Sequence, residues 1–195
     1  MTPFQRALKR LLDVLVSAIL LTVLSPLLLI IALAIKLAMP GTVFFRHQRP
    51  GLHGKPFTLI KFRSMSEAKD AQGNLLPSAQ RLTPLGRFLR RTSLDELPEL
   101  WNVLRGEMSL VGPRPLMMRY LERYTPEQAR RHNVKPGITG WAQVNGRNAL
   151  TWEERFRLDT YYVDHCSLAF DLKILWRTVI AVLKREGISP ADQEI

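Results

Sequence analysis

The sequence predicts a helix-rich α+β domain carried on an N-terminal membrane segment. Three observations predict it. From Leu11 to Ala38 the only formal charges are Asp13 and Lys36, which is the hydropathy of a membrane-inserted stretch. After Pro40-Gly41 the composition turns abruptly basic and soluble, so residues 1–40 form the anchor and residues 41–195 a second domain. Within that domain, two short strand-like runs precede several segments with apolar residues at helical spacing.

Taking the elements in order, a straight helix over 11–38 would be about 42 Å long, more than the ~30 Å hydrocarbon core requires. Ser25-Pro26 interrupts it. Pro26 has no N–H and its ring displaces the carbonyl of Thr22, while the Ser25 hydroxyl can bond back onto the preceding turn. Each arm is then about 20 Å, enough to enter one leaflet and return. Arg6, Lys9 and Arg10 precede the stretch and Lys36, Arg46, Arg49 and Lys55 follow it. Spanning helices usually show charge asymmetry, and here both flanks are positive. A re-entrant hairpin and a kinked single span both fit these residues. Asp13, one turn beyond Lys9 and Arg10, is placed to pair with either at the headgroup level.

Thr42–Phe45 and Phe57–Ile60 read as strands of a small β-hairpin, separated by Arg49-Pro50-Gly51 and Gly54-Lys55-Pro56. Helical spacing covers 85–91, 97–104, 116–124, 126–132, 152–162 and 171–185, whereas 135–147, dense in Gly, Gln and Asn, reads as a structured loop. The last helix is amphipathic. Leu172, Leu175, Trp176, Val179 and Leu183 form one face, and Lys173, Arg177, Lys184 and Arg185 add positive charge.

Composition narrows the function. The 195 residues carry a net charge of +11, which points to anionic partners: nucleic acid, anionic lipid or phosphorylated substrates. A hydrophobic share of 46% with 23% charged residues excludes a disordered chain. The single cysteine, Cys166, excludes an internal disulfide and a cysteine-based zinc cluster, and the four histidines fall in no ligand spacing. The N-terminal apolar run lacks a secretory cleavage site.

Adjacent carboxylates stand at Asp95-Glu96. One reading is local: Ser93-x-x-Glu96 fits a capping box ahead of Leu97, Leu100, Trp101 and Leu104. The other is chemical. Arg87, Arg90 and Arg91 crowd the same stretch, and an ionised Asp joined through a divalent metal to a phosphorylated ligand is a competent nucleophile. Arg114 sits between Pro113 and Pro115, so its backbone is stiffened and its guanidinium loses less entropy on gripping a phosphate. The other reading there is a turn with a solvated arginine. Lys61 and Arg63 alternate onto one face of the second strand, a phosphate-facing or merely solvated face. The loop around Gly137, Gly140 and Gly146 offers Gln143, Asn145, Arg147 and Asn148 to a ligand, although Asn145-Gly146 is equally a hairpin turn signal.

Read together, Lys9-Arg10-x-x-Asp13, Ser25-Pro26, Arg49-Pro50-Gly51, Lys61-Phe62-Arg63-Ser64-Met65, Ser93-Leu94-Asp95-Glu96-Leu97-Pro98, Gly112-Pro113-Arg114-Pro115, Pro136-Gly137-Ile138-Thr139-Gly140 and Asp171-Leu172-Lys173 form an ordered set. The set resembles the monotopic phosphoglycosyl transferases, the bacterial sugar transferase family, over nearly the whole chain. The chain is similar to the small, catalytic-domain-only form, without the extra N-terminal transmembrane bundle of larger members. The resemblance implies transfer of a sugar-1-phosphate from a UDP-sugar to polyprenyl phosphate, with UMP released. It implies Asp95 as the nucleophile of a covalent aspartyl phosphosugar, Glu96 as its helper, and Mg²⁺ held at Asp95 and Glu96. It also implies a re-entrant hairpin bent at Ser25 and Pro26, with Lys9, Arg10 and Asp13 at the interface, on the cytoplasmic face of a bacterial inner membrane. The implied domain 41–195 is then the catalytic one. Both substrates carry phosphate, so Lys61, Arg63, Arg90, Arg114 and Arg147 become the expected phosphate or nucleotide contacts. Similarity to the small forms points to an N-acetylated amino sugar, no nucleic acid is an expected partner, and homodimerisation stays open.

The competing class is a membrane-anchored, non-enzymatic binder of anionic lipid or nucleic acid. It needs the positive surface and the anchor but has no use for Asp95-Glu96. A carboxylate-pair glycosidase fits poorly, since sequence neighbours seldom straddle a glycosidic bond at ~5 Å or more.

Overall fold

The computed structural model describes residues 1–146 and 149–184, with side chains to residue 182. The N-terminal helix α1 (Pro3–Val23) begins earlier than the apolar run, because Thr2 and Gln5 form a capping box and Pro3 occupies the first turn. Helix α2 (Ser25–Ala38) follows at a bend of 62°. The break is satisfied as the sequence anticipates: the Ser25 hydroxyl donates to the Thr22 carbonyl at 2.8 Å, and the Thr22 hydroxyl to that of Ala18. Among the described residues no single helix is long and apolar enough to cross a membrane, while the bent pair passes that test together.

The antiparallel hairpin is longer than its apolar cores suggest: β1 (Phe44–Pro50) pairs with β2 (Pro56–Phe62) from Phe44–Phe62 to Pro50–Pro56. After it come α3 (Ser78–Arg81), α4 (Pro84–Thr92) and α5 (Glu99–Arg105). Strand β3 (Ser109–Val111) lies parallel to β4 (Gly137–Thr139), which falls inside the stretch read as a loop. The short strand is invisible in the sequence because its pairing depends on glycines. A Cβ on Gly112 would lie 2.3 Å from the Lys135 carbonyl, and one on Gly137 would lie 2.0 Å from the Gly112 nitrogen. Residues 116–124, expected as α-helix, instead hold a 3₁₀ segment at 118–123. Short helices α6 (Pro126–Ala129) and α7 (Trp141–Val144) precede the long α8 (Trp152–His165) and α9 (Leu168–Lys184).

Two apolar clusters hold this together. Phe57, Leu59, Leu100, Val103, Met108, Leu110, Val111, Tyr162 and Ile174 form the main core, against which Leu20 and Leu21 of α1 also pack. Ile31, Ile35 and Met39 of α2 join Phe62 and Leu89 in the second. Both helices of the bent pair therefore share a core with the basic domain.

Polar contacts fix the first arm, and they correct the expected Asp13 pairing. Asp13 is buried and accepts from the Leu110 N–H at 3.1 Å. Lys9 donates to Asp171 at 2.6 Å and to the Val111 carbonyl at 3.2 Å, and Arg10 donates to the Val103 and Leu104 carbonyls at the end of α5. The reason is geometric: β3 and the C-terminus of α5 present backbone groups to this helix face, the Leu110 N–H and the Val103, Leu104 and Val111 carbonyls among them. Leu11, Leu15, Ile19 and Val23 of the same helix remain exposed.

Candidate active site

The capping box expected at Ser93-x-x-Glu96 does not form. Ser93 ends α4 in the left-handed region, at φ 56° and ψ 18°, and its side chain caps nothing. A non-glycine residue there costs about 1 kcal/mol. The turn redirects the chain so that Leu94–Glu96 form a single 3₁₀ turn with Asp95 buried. Glu96 is pulled from its local role by two cations: one carboxylate oxygen accepts from Lys61 at 2.8 Å and from Arg114 at 2.6 Å. The Lys61 ammonium also lies 3.3 Å from Glu99, which is only 2% exposed.

Each partner is held by distant sequence. Lys61 is presented by β2, whose neighbours Thr58 and Ile60 are clamped by the fully buried Asn102. Its side chain accepts from the Ile60 N–H and donates to the Thr58 carbonyl and to Glu107. Arg114 is held by its flanking prolines and by Arg131, which donates to the Arg114 carbonyl at 2.7 Å. Arg131 is in turn fixed by Asp159, with both residues almost fully buried. Arg90 donates from Nε to the Ser64 hydroxyl at 2.9 Å. Gly86 lets α4 approach that segment, since a Cβ there would lie 1.7 Å from the Ser64 carbonyl oxygen.

Three acidic groups and their cations divide the charge unequally. Burial pushes the Glu96 carboxyl up, but Arg114 and Lys61 outweigh it and hold it well below the usual carboxylate range. Glu99 is pushed up to about 7 by burial, with Lys61 opposing and the Glu96 charge reinforcing. Asp95 is raised by burial and by the neighbouring Glu96, against Lys61, Arg114 and Arg90. Lys61 loses some basicity to burial, yet the carboxylates around it raise it overall. Glu96 is thus a fixed anion that fastens Lys61 and Arg114. Asp95 feels the same cations, Lys61 and Arg114, and Arg90 as well.

The structure brings Lys61, Arg90, Asp95, Glu96 and Arg114 together. It corrects Arg63, which is 5% exposed and donates to the Met39 carbonyl at 2.8 Å, with Glu67 at 3.7 Å. It lies past the end of β2, where the free carbonyl at the end of α2 captures the guanidinium. Arg147 lies outside the described residues. Glu99, Asn102, Arg131 and Asp159 are additions. The i, i+3 spacing of Glu96 and Glu99 was a usable signal for the first, while nothing local marks the others.

No three His, Cys, Asp or Glu side chains among the described residues are arranged to hold a metal by themselves. The adjacent carboxylates of Asp95 and Glu96 are the oxygen donors a hard cation takes, with substrate phosphate and water to complete its shell.

A family model described as bacterial sugar transferase matches residues 4–185. The chain is 58% identical over 185 residues to the uncharacterised sugar transferase EpsL of Bacillus subtilis (strain 168), covering 95% of this chain and 92% of that protein. It is 46% identical over 184 residues to the UDP-glucose:undecaprenyl-phosphate glucose-1-phosphate transferase of Escherichia coli (strain K12), covering 89% of this chain and 40% of that one. It is 41% identical over 200 residues to the undecaprenyl-phosphate galactose phosphotransferase of Salmonella typhimurium, covering 93% of this chain and 42% of that protein. The chain thus spans about two fifths of the length of the latter two.

Proposed function

The chain belongs to the bacterial sugar transferase family, and from that premise we propose that it transfers a sugar-1-phosphate from a UDP-sugar to polyprenyl phosphate. The observation that carries the reading is the Asp95 carboxylate, buried beside a Lys61–Glu96–Arg114 network that fixes two cations. A phosphoryl-transfer site needs positioned positive charge around a group that can attack phosphorus. A passive binder of anions has no use for a buried acid there.

In the first half-reaction an Asp95 oxygen attacks the phosphorus bonded to the sugar. A P–O bond to Asp95 forms, the P–O bond to UMP breaks, and UMP leaves with the electron pair. In the second, an oxygen of polyprenyl phosphate attacks the same phosphorus, and the Asp95 carboxylate is regenerated as polyprenyl-diphosphate-sugar departs. Lys61, Arg90 and Arg114 face the phosphate oxygens and neutralise charge as it moves to the leaving group. The fixed anion of Glu96 holds Lys61 and Arg114 in place before substrate arrives, so little reorganisation accompanies reaction. Mg²⁺, held by Asp95 and Glu96, would screen the donor diphosphate. Asp95 is raised above the ordinary aspartate value, which makes it a stronger nucleophile once ionised but a poorer leaving group. The bent α1–α2 pair sits in one leaflet as a re-entrant hairpin at the cytoplasmic face, so both termini of the pair and the site stay on the side of the nucleotide donor.

The donor sugar is an N-acetylated amino sugar in this reading. A hexose is the second reading, favoured by relatives named for glucose and galactose. The experiment is turnover of UDP-N-acetylglucosamine, UDP-glucose and UDP-galactose with undecaprenyl phosphate, by the wild type and Asp95→Asn. The wild type forms lipid-linked sugar from at least one donor and the variant from none. Undiminished turnover by Asp95→Asn would contradict the mechanism.

A further inference from the structure

One recess among the described residues is unused by the chemistry above. Tyr120, Arg123, Tyr124, Gln128, Trp152 and Phe156 line a cavity of about 200 Å³. It is smaller than the ~300–1,000 Å³ typical of pockets for drug-sized ligands, so it admits a single ring. Its walls are aromatic faces. Trp152 is 47% exposed, stacks on Phe156 at 5.8 Å and meets Tyr120 at 5.6 Å. The lining offers donors in the Arg123 guanidinium and the Gln128 amide, whose oxygen is already occupied by the Thr125 N–H, together with the Tyr120 and Tyr124 hydroxyls, the latter accepting from Arg131 at 3.3 Å. None of the six lining residues is a carboxylate.

The recess is tied to the transfer site by one side chain. Arg131 donates to the Arg114 carbonyl at 2.7 Å, while its guanidinium carbon lies 5.9 Å from the Tyr124 ring centre and 5.8 Å from that of Phe156. The aromatic wall is therefore one guanidinium away from the residue that grips Glu96. On the other side Arg155 lies over Trp152 at 4.9 Å, close enough to Arg114 for the two charges to oppose each other. Arg155 and Arg131, with Asp159 paired to the latter, therefore connect the recess to Arg114.

We propose that this recess holds the uracil ring of the nucleotide donor, stacked on the aromatic wall at Trp152, with the diphosphate running past Arg155 to Arg114. The assignment rests on the UDP-sugar reading above. A planar pyrimidinedione matches the site on three counts. Aromatic faces stack on any base. Two ring carbonyls accept from the Arg123 and Gln128 donors. The volume takes one ring. A hexose fits less well, because no carboxylate among the described residues lines the recess to take its several hydroxyls, and the tyrosine hydroxyls are the acceptors the side chains leave.

The test is binding of UDP and of inorganic diphosphate by calorimetry to the full chain in detergent, for the wild type, Trp152→Ala and Trp152→Phe. Loss of a base–aromatic stack weakens UDP binding about tenfold in Trp152→Ala. Trp152→Phe keeps a ring and stays within about threefold. Diphosphate binding is the same in all three. In turnover the alanine variant raises KM for the UDP-sugar by about the same factor, with kcat little changed, because the interaction is made equally in ground and transition states. Unchanged UDP affinity in Trp152→Ala overturns the assignment and leaves the transferase reading standing. Equal weakening of UDP and diphosphate, or a raised KM with unchanged UDP affinity, also overturns it: the first means general disruption and the second a sugar pocket. A wild type that binds UDP through Trp152 but turns over no UDP-sugar supports the pocket and refutes the transferase reading.

Discussion

Replacing Lys61 with methionine removes one charge shared by two carboxylates while nearly preserving volume. In the wild type the ammonium donates to Glu96 at 2.8 Å and lies 3.3 Å from Glu99. At pH 6 Glu99, with its carboxyl pushed up to about 7, is mostly protonated. The variant then loses chiefly one charge-assisted hydrogen bond to Glu96, about 1.5–3 kcal/mol, while Arg114 stays on the same oxygen. Higher pH adds a second loss. A carboxyl whose folded value is raised above its unfolded one (~4.3 for glutamate) destabilises the fold progressively as pH climbs through that interval, and the effect levels off above the folded value. The wild type levels off near 7. Without Lys61 the Glu99 carboxyl rises further, so the variant keeps losing about 1.4 kcal/mol per pH unit above 7. By pH 8.5 the variant should therefore be about 2 kcal/mol worse, relative to wild type, than at pH 6. Equilibrium unfolding in detergent at the two pH values, followed by circular dichroism, measures this. A deficit of equal size at both would refute the idea that Lys61 serves Glu99 as well as Glu96.

Other predictions concern the supports of the site. Gly137→Ala places a Cβ 2.0 Å from the Gly112 nitrogen; this backbone clash should cost about 3 kcal/mol or more and lower activity through displaced Arg114, both visible in melting and turnover. Arg131→Ala should destabilise by about 3–5 kcal/mol by stranding buried Asp159, and the Arg131→Ala, Asp159→Ala double variant should be far less unstable than the sum of the singles. Additive losses in that cycle would contradict a coupled pair. Asp171→Asn weakens the Lys9 contact at 2.6 Å and should lower the melting temperature while leaving UDP affinity unchanged; a melting temperature equal to wild type would count against this contact holding α1 in place.

Much of the architecture was legible in the sequence, for identifiable reasons. The bend at Ser25-Pro26 follows from a missing N–H and a nearby hydroxyl, both local properties, and the structure satisfies it locally. The hairpin and the long C-terminal helices follow from periodicity. The β3–β4 pair was not legible, because three-residue strands have no period and their close approach depends on glycines far apart in sequence. In the site, Asp95, Glu96, Lys61, Arg90 and Arg114 could be named in advance, since each sits in a distinctive motif. Arg63 sits in an equally distinctive motif, yet the end of α2 captures it. The capping box was a sound local expectation that two long-range cations overrode. Asn102 and Asp159 gave no signal, because an amide or acid that clamps a distant backbone or arginine looks like any other polar residue on a helix.

The most direct test of the covalent role of Asp95 is intact-protein mass measurement after incubation with UDP-sugar and Mg²⁺ in the absence of polyprenyl phosphate. The wild type should gain the mass of one phosphosugar, located by peptide mapping to Asp95, and lose it when polyprenyl phosphate is added. An enzyme that turns over with both substrates yet never carries this adduct would contradict the account and require direct transfer between the two bound substrates.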